Sequence, residues 1–237
     1  MGNCINNIKI VPTNKSSFVL GIIDPQNDFF KEGSLAVPNA EEIIGPINKL
    51  RFLCYNFMNT FISQDYHPYN HMSFASTYNE QPFTKKILNI DDLTINQTLW
   101  PDHCVQNTKG SKIHNDILKL SSDKIVFKGT KQNVESYSAF GDEYCGNYEN
   151  TGLKLWLNNS NITNIIIVGL ATDYCVYNTV LDASHFGFNV HLILSCIRGV
   201  DKNTTEKALI HMKELSNVYI YDTVEDFYQK CSHKFIL

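Results

Sequence analysis

The sequence predicts an α/β fold, a three-layer αβα sandwich built on a doubly wound, six-stranded and mainly parallel sheet. Short runs of β-branched apolar residues, such as Ile165-Ile166-Ile167-Val168, are typical of strands that are buried on both faces. Stretches with helical spacing lie between these runs. This alternation is typical of parallel strands that are joined by right-handed crossover helices.

Each predicted element is a run of one periodicity that is bounded by turn residues. We expect strands at 17–24, 58–64, 124–128, 164–169, 189–195 and 217–221. We expect helices near 39–56, 111–120, 150–158, 173–186, 203–214 and 223–230. The stretch 66–110 shows no such run and is too long for a plain connection. Loops of this length are usually functional, so we interpret it as a lid region over a site.

Length, composition and net charge limit the number of domains, the partners and the location that the sequence allows. A chain of 237 residues, 43% of them hydrophobic, suits a single domain over 1–237, with 1–16 as a peripheral segment. The net charge of −4 argues against a nucleic-acid partner, and no apolar run is long enough for a membrane span. Seven cysteines without metal-finger spacing indicate a reduced, cytoplasmic protein, with the nucleus as a second location. Whether the chain forms a homo-oligomer stays open.

The start of the chain resembles an acylation signal only in part. Gly2 and Cys4 suit dual acylation, but Asn6 stands where the myristoylation pattern requires Ser or Thr. We therefore expect no N-terminal acylation.

Cys175 follows the strongest predicted strand. Gly169 ends this strand, and Thr172 or Asp173 can cap the helix that comes next. Cys175 then lies in the first helical turn at the carboxyl end of a parallel strand, where open α/β sheets bind ligands and the helix dipole favours a thiolate. A buried structural cysteine is the simpler interpretation of a lone cysteine. The rest of the sequence decides between the two.

Two other predicted strands end in charged residues that face the same crevice. Asp24 follows the first strand and Lys128 ends the third, whereas Asp28 suits the role of a turn cap. Asp24 can accept the thiol proton of Cys175 and pass it to a departing amine. Lys128 can stabilise the thiolate and orient Asp24. The backbone N–H groups of Ala171 and Cys175 can form an oxyanion hole.

A candidate metal site follows the second strand. Asp65 and His67 are two residues apart, and in an extended chain such residues point the same way. With His71, or with a more distant residue such as His103, they can bind one divalent ion through nitrogen and oxygen ligands. Such a ligand set suits zinc, and also manganese or iron.

Taken together and in order, these residues resemble the nicotinamidase branch of the isochorismatase-like cysteine hydrolases, over about residues 17–222. The motifs that carry the resemblance are Asp24-Pro25-Gln26-Asn27-Asp28-Phe29, Asp65-Tyr66-His67-Pro68 with His71 and Ser73-Phe74, Trp100-Pro101-Asp102-His103-Cys104, Lys128-Gly129, Glu135-Ser136-Tyr137-Ser138-Ala139-Phe140, and Gly169-Leu170-Ala171-Thr172-Asp173-Tyr174-Cys175-Val176.

The resemblance implies hydrolysis of nicotinamide, or a related pyridine carboxamide, to the acid and ammonia in NAD salvage, through a cysteine thioester. It implies one metal ion, zinc first, that anchors the pyridine nitrogen, and a cis peptide before Ala171. The implied roles are a catalytic triad of Asp24, Lys128 and Cys175, metal ligands Asp65, His67 and His103, with His71 either a ligand or only nearby, and ring contacts from Phe29, Trp100 and Tyr137.

Two departures from the family pattern and two alternatives remain. Tyr66 stands where many members have Trp, and the polar stretch 74–99 indicates a different lid.

One alternative is another amidase or ether hydrolase of the superfamily, such as an isochorismatase or a ureidoacrylate hydrolase. The isochorismatase branch lacks the metal ligands that this chain has. The other alternative is an interaction scaffold, which has no need for Asp, Lys and Cys at three strand ends.

Overall fold

The computed structural model describes residues 17–54, 58–90, 93–142 and 149–234. Six of its strands form one sheet, and four shorter ones form two separate pairs. In chain order the strands are β1 (Phe18–Ile23), β2 (Asn59–Asp65), β3 (Lys85–Ile90), β4 (Leu93–Thr98), β5 (Lys124–Lys128), β6 (Gly141–Asp142), β7 (Glu149–Asn150), β8 (Asn164–Leu170), β9 (Asn189–Arg198) and β10 (Val218–Tyr221).

The main sheet has the strand order β10-β9-β8-β1-β2-β5, and every neighbouring pair in it is parallel. Five α-helices lie in the described ranges: α1 (Ile44–Cys54), α2 (Leu153–Asn159), α3 (Tyr177–His185), α4 (Lys202–Glu214) and α5 (Val224–Cys231). Short 3₁₀ turns include Ala40–Ile43, which leads into α1.

Two apolar layers cover the two faces of the sheet. Because side chains alternate along a strand, Leu20 and Ile22 of β1 pack in a cluster with residues of α1 and α5. Val19 and Ile23 pack on the opposite face in a cluster with residues of α2, α3 and α4. The predicted three-layer αβα sandwich with a doubly wound parallel sheet is therefore confirmed.

The order of the strands creates a crevice at the centre of the sheet. After β1 the chain moves outward through β2 to β5, and then returns to β8 on the other side of β1. The connections that follow β1 and β8 therefore run in opposite directions, which opens a ligand crevice at their carboxyl ends. Asp24 follows β1 and Ala171 follows β8, so both lie at this crevice.

The predicted helix at 111–120 is wrong, because its backbone groups pair with the loop after β1. The segment consists of turns, and Ile113 forms an isolated antiparallel bridge with Gln26. The N–H of His114 donates to the Pro25 carbonyl at 2.8 Å, and that of Asn27 donates to the Lys112 carbonyl at 2.9 Å. These tertiary hydrogen bonds replace the helical ones.

The region 66–110 contains an antiparallel hairpin that was not predicted. Its strands β3 and β4 pair from Lys85↔Thr98 to Ile90↔Leu93. The missed signal was the alternation of apolar and polar residues in Leu93-Thr94-Ile95-Asn96 of β4, which is typical of a half-buried strand, whereas β3 shows no such alternation.

Several predictions concern parts of the chain that lie outside the described residues. These are the peripheral segment 1–16, the disfavoured acylation of Gly2 and Cys4, and thus the single domain over 1–237. Across 17–54, 58–90, 93–142 and 149–234, no helix is long and apolar enough to span a bilayer. The five cysteines described as free are all buried: Cys54, Cys104, Cys175, Cys196 and Cys231.

Candidate active site

The three residues predicted at strand ends lie in contact with one another. The Lys128 ammonium lies 2.9 Å from Asp24 Oδ2 and 3.3 Å from Cys175 Sγ. It also donates to the Ser136 carbonyl at 3.2 Å and to Asp65 Oδ1. Lys128 is fully buried, so its side chain is held by these polar partners and not by solvent.

Asp24 is held by a serine that sequence reasoning did not identify. The Ser63 hydroxyl donates to Asp24 Oδ1 at 2.8 Å and accepts from the Asp24 N–H at 3.2 Å. Asp24 has φ 46°, in the left-handed region, where a non-glycine residue is uncommon. The strand therefore ends in a sharp turn at Asp24, and Ser63 holds the carboxylate in this position.

Cys175 lies in a π-helical turn, Thr172–Val176, that precedes α3. The N–H of Val176 donates to the Ala171 carbonyl at 3.1 Å, across five residues. The turn begins directly after β8, where Gly169 has φ 122° and a Cβ would lie 2.1 Å from the Ile23 carbonyl oxygen. Only glycine fits this close approach of β8 to β1.

Two expectations about this turn are wrong. Neither Thr172 nor Asp173 caps it. The Asp173 carboxylate instead accepts from the N–H groups of Val200 at 2.9 Å and Asp201 at 3.1 Å, and so ties the turn to the start of α4. No cis peptide occurs among the described residues, and Ala171 turns the chain with φ 4° and ψ 96°.

The charges around Cys175 also differ from expectation. Burial raises the pKa of the Cys175 thiol well above its ordinary value, and the Asp24 and Asp65 carboxylates add to this, although Lys128 opposes it. Burial likewise raises the pKa of Asp24 despite the neighbouring Lys128. This direction favours the protonated thiol at rest, against the thiolate that the helix start and Lys128 were expected to favour. Asp24 becomes a stronger base in the same environment.

The candidate metal ligands converge at the end of β2. Asp65 Oδ2 lies 3.7 Å from His67 Nε2 and 3.8 Å from His103 Nε2. His67 Nδ1 donates to the Gly129 carbonyl at 2.9 Å, and His103 Nδ1 donates to the Pro101 carbonyl at 2.8 Å. With the Nδ1 atoms held in this way, both Nε2 atoms face Asp65, whose charge raises the pKa of His67 against the opposing effect of burial. This donor set fits a divalent ion that accepts nitrogen and oxygen ligands.

His71 lies beside this set without a free nitrogen. Its ring stacks on that of His67, with centroids 4.1 Å apart. Its Nδ1 accepts from the Ser73 hydroxyl at 2.7 Å, and its Nε2 donates to the Val134 carbonyl at 3.0 Å. Burial lowers the pKa of His71 to about 3, so the ring stays neutral and supports His67 by packing.

A small cavity lies between Cys175 and the candidate metal ligands. The three predicted ring contacts, Phe29, Trp100 and Tyr137, all line it, as do Ala171 and Cys175. Sequence reasoning missed three further lining residues: Leu35, Tyr174 and Val200. Tyr174 directly precedes Cys175 and could have been found on that basis, whereas Leu35 and Val200 lie in loops with no local signal.

The unpredicted hairpin holds one wall of the cavity. Gln97 of β4 donates from Nε2 to the Tyr137 hydroxyl at 3.3 Å, and Trp100 Nε1 donates to the same oxygen at 3.1 Å. The Tyr137 ring thus has a fixed place against Tyr174, 5.6 Å away between centroids. The region interpreted as a lid therefore contributes an ordered wall.

Comparison with known proteins agrees with this arrangement. Residues 18–224 match the isochorismatase domain family. The nicotinamidase of Escherichia coli (strain K12) is 41% identical over 193 residues, 81% of this chain and 88% of that protein. A structure described as a nicotinamidase and pyrazinamidase of Acinetobacter baumanii has a TM-score of 0.79 and 36% identity, over 90% of this chain and 98% of its own. The pyrazinamidase of Pyrococcus horikoshii, solved in complex with zinc, has a TM-score of 0.71 and 30% identity, over 87% of this chain and 99% of its own.

The family match covers the whole main sheet, and the relatives are matched over most of their own length. The resemblance inferred from the motifs is thereby confirmed, and the chain belongs to the isochorismatase domain family, in its nicotinamidase branch.

Proposed function

We propose that this chain hydrolyses nicotinamide, or a related pyridine carboxamide, to the carboxylic acid and ammonia. The observation that carries the proposal is the contact of Lys128 with both Asp24 and Cys175 beside a pocket with aromatic walls. The relatives named as nicotinamidases support nicotinamide as the substrate. Nicotinate would then be the product that feeds NAD salvage, in the cytoplasm.

The first half of the reaction forms a thioester. Cys175 Sγ attacks the carboxamide carbon while the thiol proton passes to Asp24. The thiol needs such a base because burial raises its pKa and so favours the protonated form. The backbone N–H groups of Ala171 and Cys175 stabilise the oxyanion of the tetrahedral intermediate. Asp24 then gives its proton to the amide nitrogen, the C–N bond breaks, and ammonia leaves.

The second half releases the acid. Asp24 takes a proton from a water molecule, which attacks the thioester carbon. The C–S bond breaks, the carboxylic acid leaves, and the cysteine sulfur regains its proton. Lys128 keeps its charge throughout, since Asp24 and Asp65 raise its pKa well above the ordinary value against the effect of burial. Its ammonium orients Asp24 and stabilises negative charge on the sulfur.

Asp65, His67 and His103 would hold one divalent ion, which we propose to be zinc, with manganese or iron as alternatives. The zinc complex of the Pyrococcus horikoshii pyrazinamidase supports zinc. When bound, the ion would accept the pyridine nitrogen of the substrate and polarise the ring. Burial lowers the pKa of His103 to about 4, so this imidazole is neutral and can act as a ligand at neutral pH. Phe29, Trp100 and Tyr137 would enclose the ring.

The test of the proposed function is release of ammonia from nicotinamide, measured before and after a chelator has removed divalent ions. We expect turnover by the loaded protein, loss of turnover after chelation, and recovery when Zn²⁺ is restored. Metal analysis of the purified protein is the control for loading. Equal turnover before and after complete removal of the ion would contradict the role of Asp65, His67 and His103.

Gly129→Ala offers a second test of the metal ligands. Gly129 has φ 59°, and a Cβ there would lie 2.4 Å from His67 Cε1. His67 must therefore move, and we expect the affinity for Zn²⁺ to fall on the order of 10- to 100-fold, as when other supports of a ligand are lost. Equilibrium dialysis of the metal-free protein measures this.

Gly152→Ala is the matched control. Gly152 has φ 73°, so alanine meets similar backbone strain there, but nothing lies within 4 Å of its Cβ. Both variants should lose roughly 1–2 kcal/mol of stability from the left-handed backbone. If both also bound Zn²⁺ equally well, Gly129 would have no influence on the metal ligands.

A further inference from the structure

Strand β2 extends beyond the point at which its neighbour β1 turns away. The pairing of the two strands ends at Ile22↔Ile62, whereas β2 continues to Asp65. If the register continued, Pro25 would lie opposite Asp65, and proline has no N–H group to donate. The Asp65 N–H and carbonyl are buried on this side, and buried backbone groups need partners.

The side chain of Gln26 supplies these partners. Its Oε1 accepts from the Asp65 N–H at 2.8 Å, and its Nε2 donates to the Asp65 carbonyl at 2.7 Å. The same Nε2 donates to the Ser111 carbonyl at 2.9 Å. Gln26 is fully buried. A primary amide has the donor and acceptor of a peptide group, so this side chain occupies the place of a β1 peptide.

We infer that Gln26 is a positioning residue, whose side-chain amide continues the β-ladder by one pair and thereby fixes the direction of the Asp65 carboxylate. The inference rests on the proposed metal ligands. It assigns to Gln26 the support of one of them, Asp65, and no part in the reaction itself. Gln26 itself touches neither the cavity nor the catalytic cysteine among the described contacts.

The direction of Asp65 matters because its two oxygens serve different partners. Oδ1 accepts from Lys128, and Oδ2 faces the Nε2 atoms of His67 and His103 at 3.7 and 3.8 Å. A shift of the Asp65 backbone therefore moves a metal ligand and a partner of the catalytic lysine together. Errors of about 1 Å in such groups are enough to weaken a site.

Gln64 provides a matched control in the neighbouring position. It is also buried, and its Nε2 donates to the same Ser111 carbonyl, at 2.7 Å. Gln64 directly precedes Asp65 in β2, and side chains alternate along a strand, so its side chain lies on the opposite face of the sheet from that of Asp65. It therefore shares the loop contact of Gln26 but not the bonds to the Asp65 backbone.

The experiment compares Gln26→Met with Gln64→Met, since methionine keeps the length of glutamine and removes its amide. The affinity of each metal-free protein for Zn²⁺ is measured by competition with a chromophoric chelator, beside its thermal unfolding. We expect Gln26→Met to weaken Zn²⁺ binding on the order of 10- to 100-fold, and Gln64→Met to leave it nearly unchanged. If Gln26→Met does not fold, Gln26→Asn, whose amide is one methylene too short, takes its place with the same expectation.

Each outcome has one interpretation. Weaker binding in the Gln26 variant alone supports the inference. Equal weakening in both variants would show that only the Ser111 loop contact matters, and unchanged binding in a folded Gln26 variant would likewise overturn the inference. If the wild-type protein binds no Zn²⁺, the proposed ligands have failed, and the role assigned to Gln26 falls with them for that separate reason.

Discussion

Replacing Cys175 by alanine is expected to reduce the release of ammonia from nicotinamide by about 10⁴-fold or more, to the detection limit of the assay. The side chain is the nucleophile of the proposed mechanism, and no other thiol lines the cavity among the described residues. Without the sulfur no thioester forms, so neither half of the reaction can proceed. The measurement is steady-state ammonia release, with the protein loaded with its metal.

Cys196→Ala is the matched control for this variant. Cys196 is also buried, but it packs in the apolar layer beneath α1 and does not line the cavity. Its loss removes packing and should cost some stability while turnover persists. Turnover by Cys175→Ala at a rate near that of the wild type would refute the thioester mechanism.

Asp24→Asn is expected to lower kcat by about 10²- to 10⁴-fold, the range that is typical for loss of a general acid–base group. The amide keeps the shape of the side chain and can still accept from the Ser63 hydroxyl. It cannot accept the thiol proton, and burial raises the pKa of the Cys175 thiol, which favours retention of that proton. The variant should therefore bind substrate but form the thioester slowly, which single-turnover measurement of ammonia release can detect.

The metal content of Asp24→Asn distinguishes loss of the acid–base group from a disturbance of the metal ligands. Asp24 is not among the ligands at the end of β2, although it shares Lys128 with Asp65. We expect Zn²⁺ to remain bound while kcat falls. A variant that loses its metal and its activity together would indicate that Asp24 acts mainly on the Lys128–Asp65 contact.

Sequence patterns were sufficient where one local run determines a structure. The β-branched run before Gly169 predicted β8, and the alternation of elements predicted the parallel sheet that brings three strand ends together. Because parallel strands place their carboxyl ends at one edge, Asp24, Lys128 and Cys175 could be assigned to a common crevice without knowledge of their contacts.

Sequence patterns were insufficient where contacts with distant segments of the chain determine the local structure or the properties of a side chain. The helical spacing at 111–120 was overridden by hydrogen bonds to Pro25 and Asn27, which no local signal reveals. The pKa of Cys175 depends on complete burial beside two carboxylates, and burial at this depth is not visible in a motif. The role of Gln26 depends on where β1 stops relative to β2, which is a property of the register.

The segment 24–29 has a consequence for the tolerance of this protein to mutation. Within six residues, Asp24 contacts the lysine of β5, Gln26 holds the end of β2, and Asp28 accepts from the Cys104 N–H at 2.7 Å. Phe29 then lines the cavity. Four side chains of this short segment thus each contact a different part of the protein. Few substitutions there are expected to leave stability and activity unchanged, although only a minority of these residues would touch the substrate.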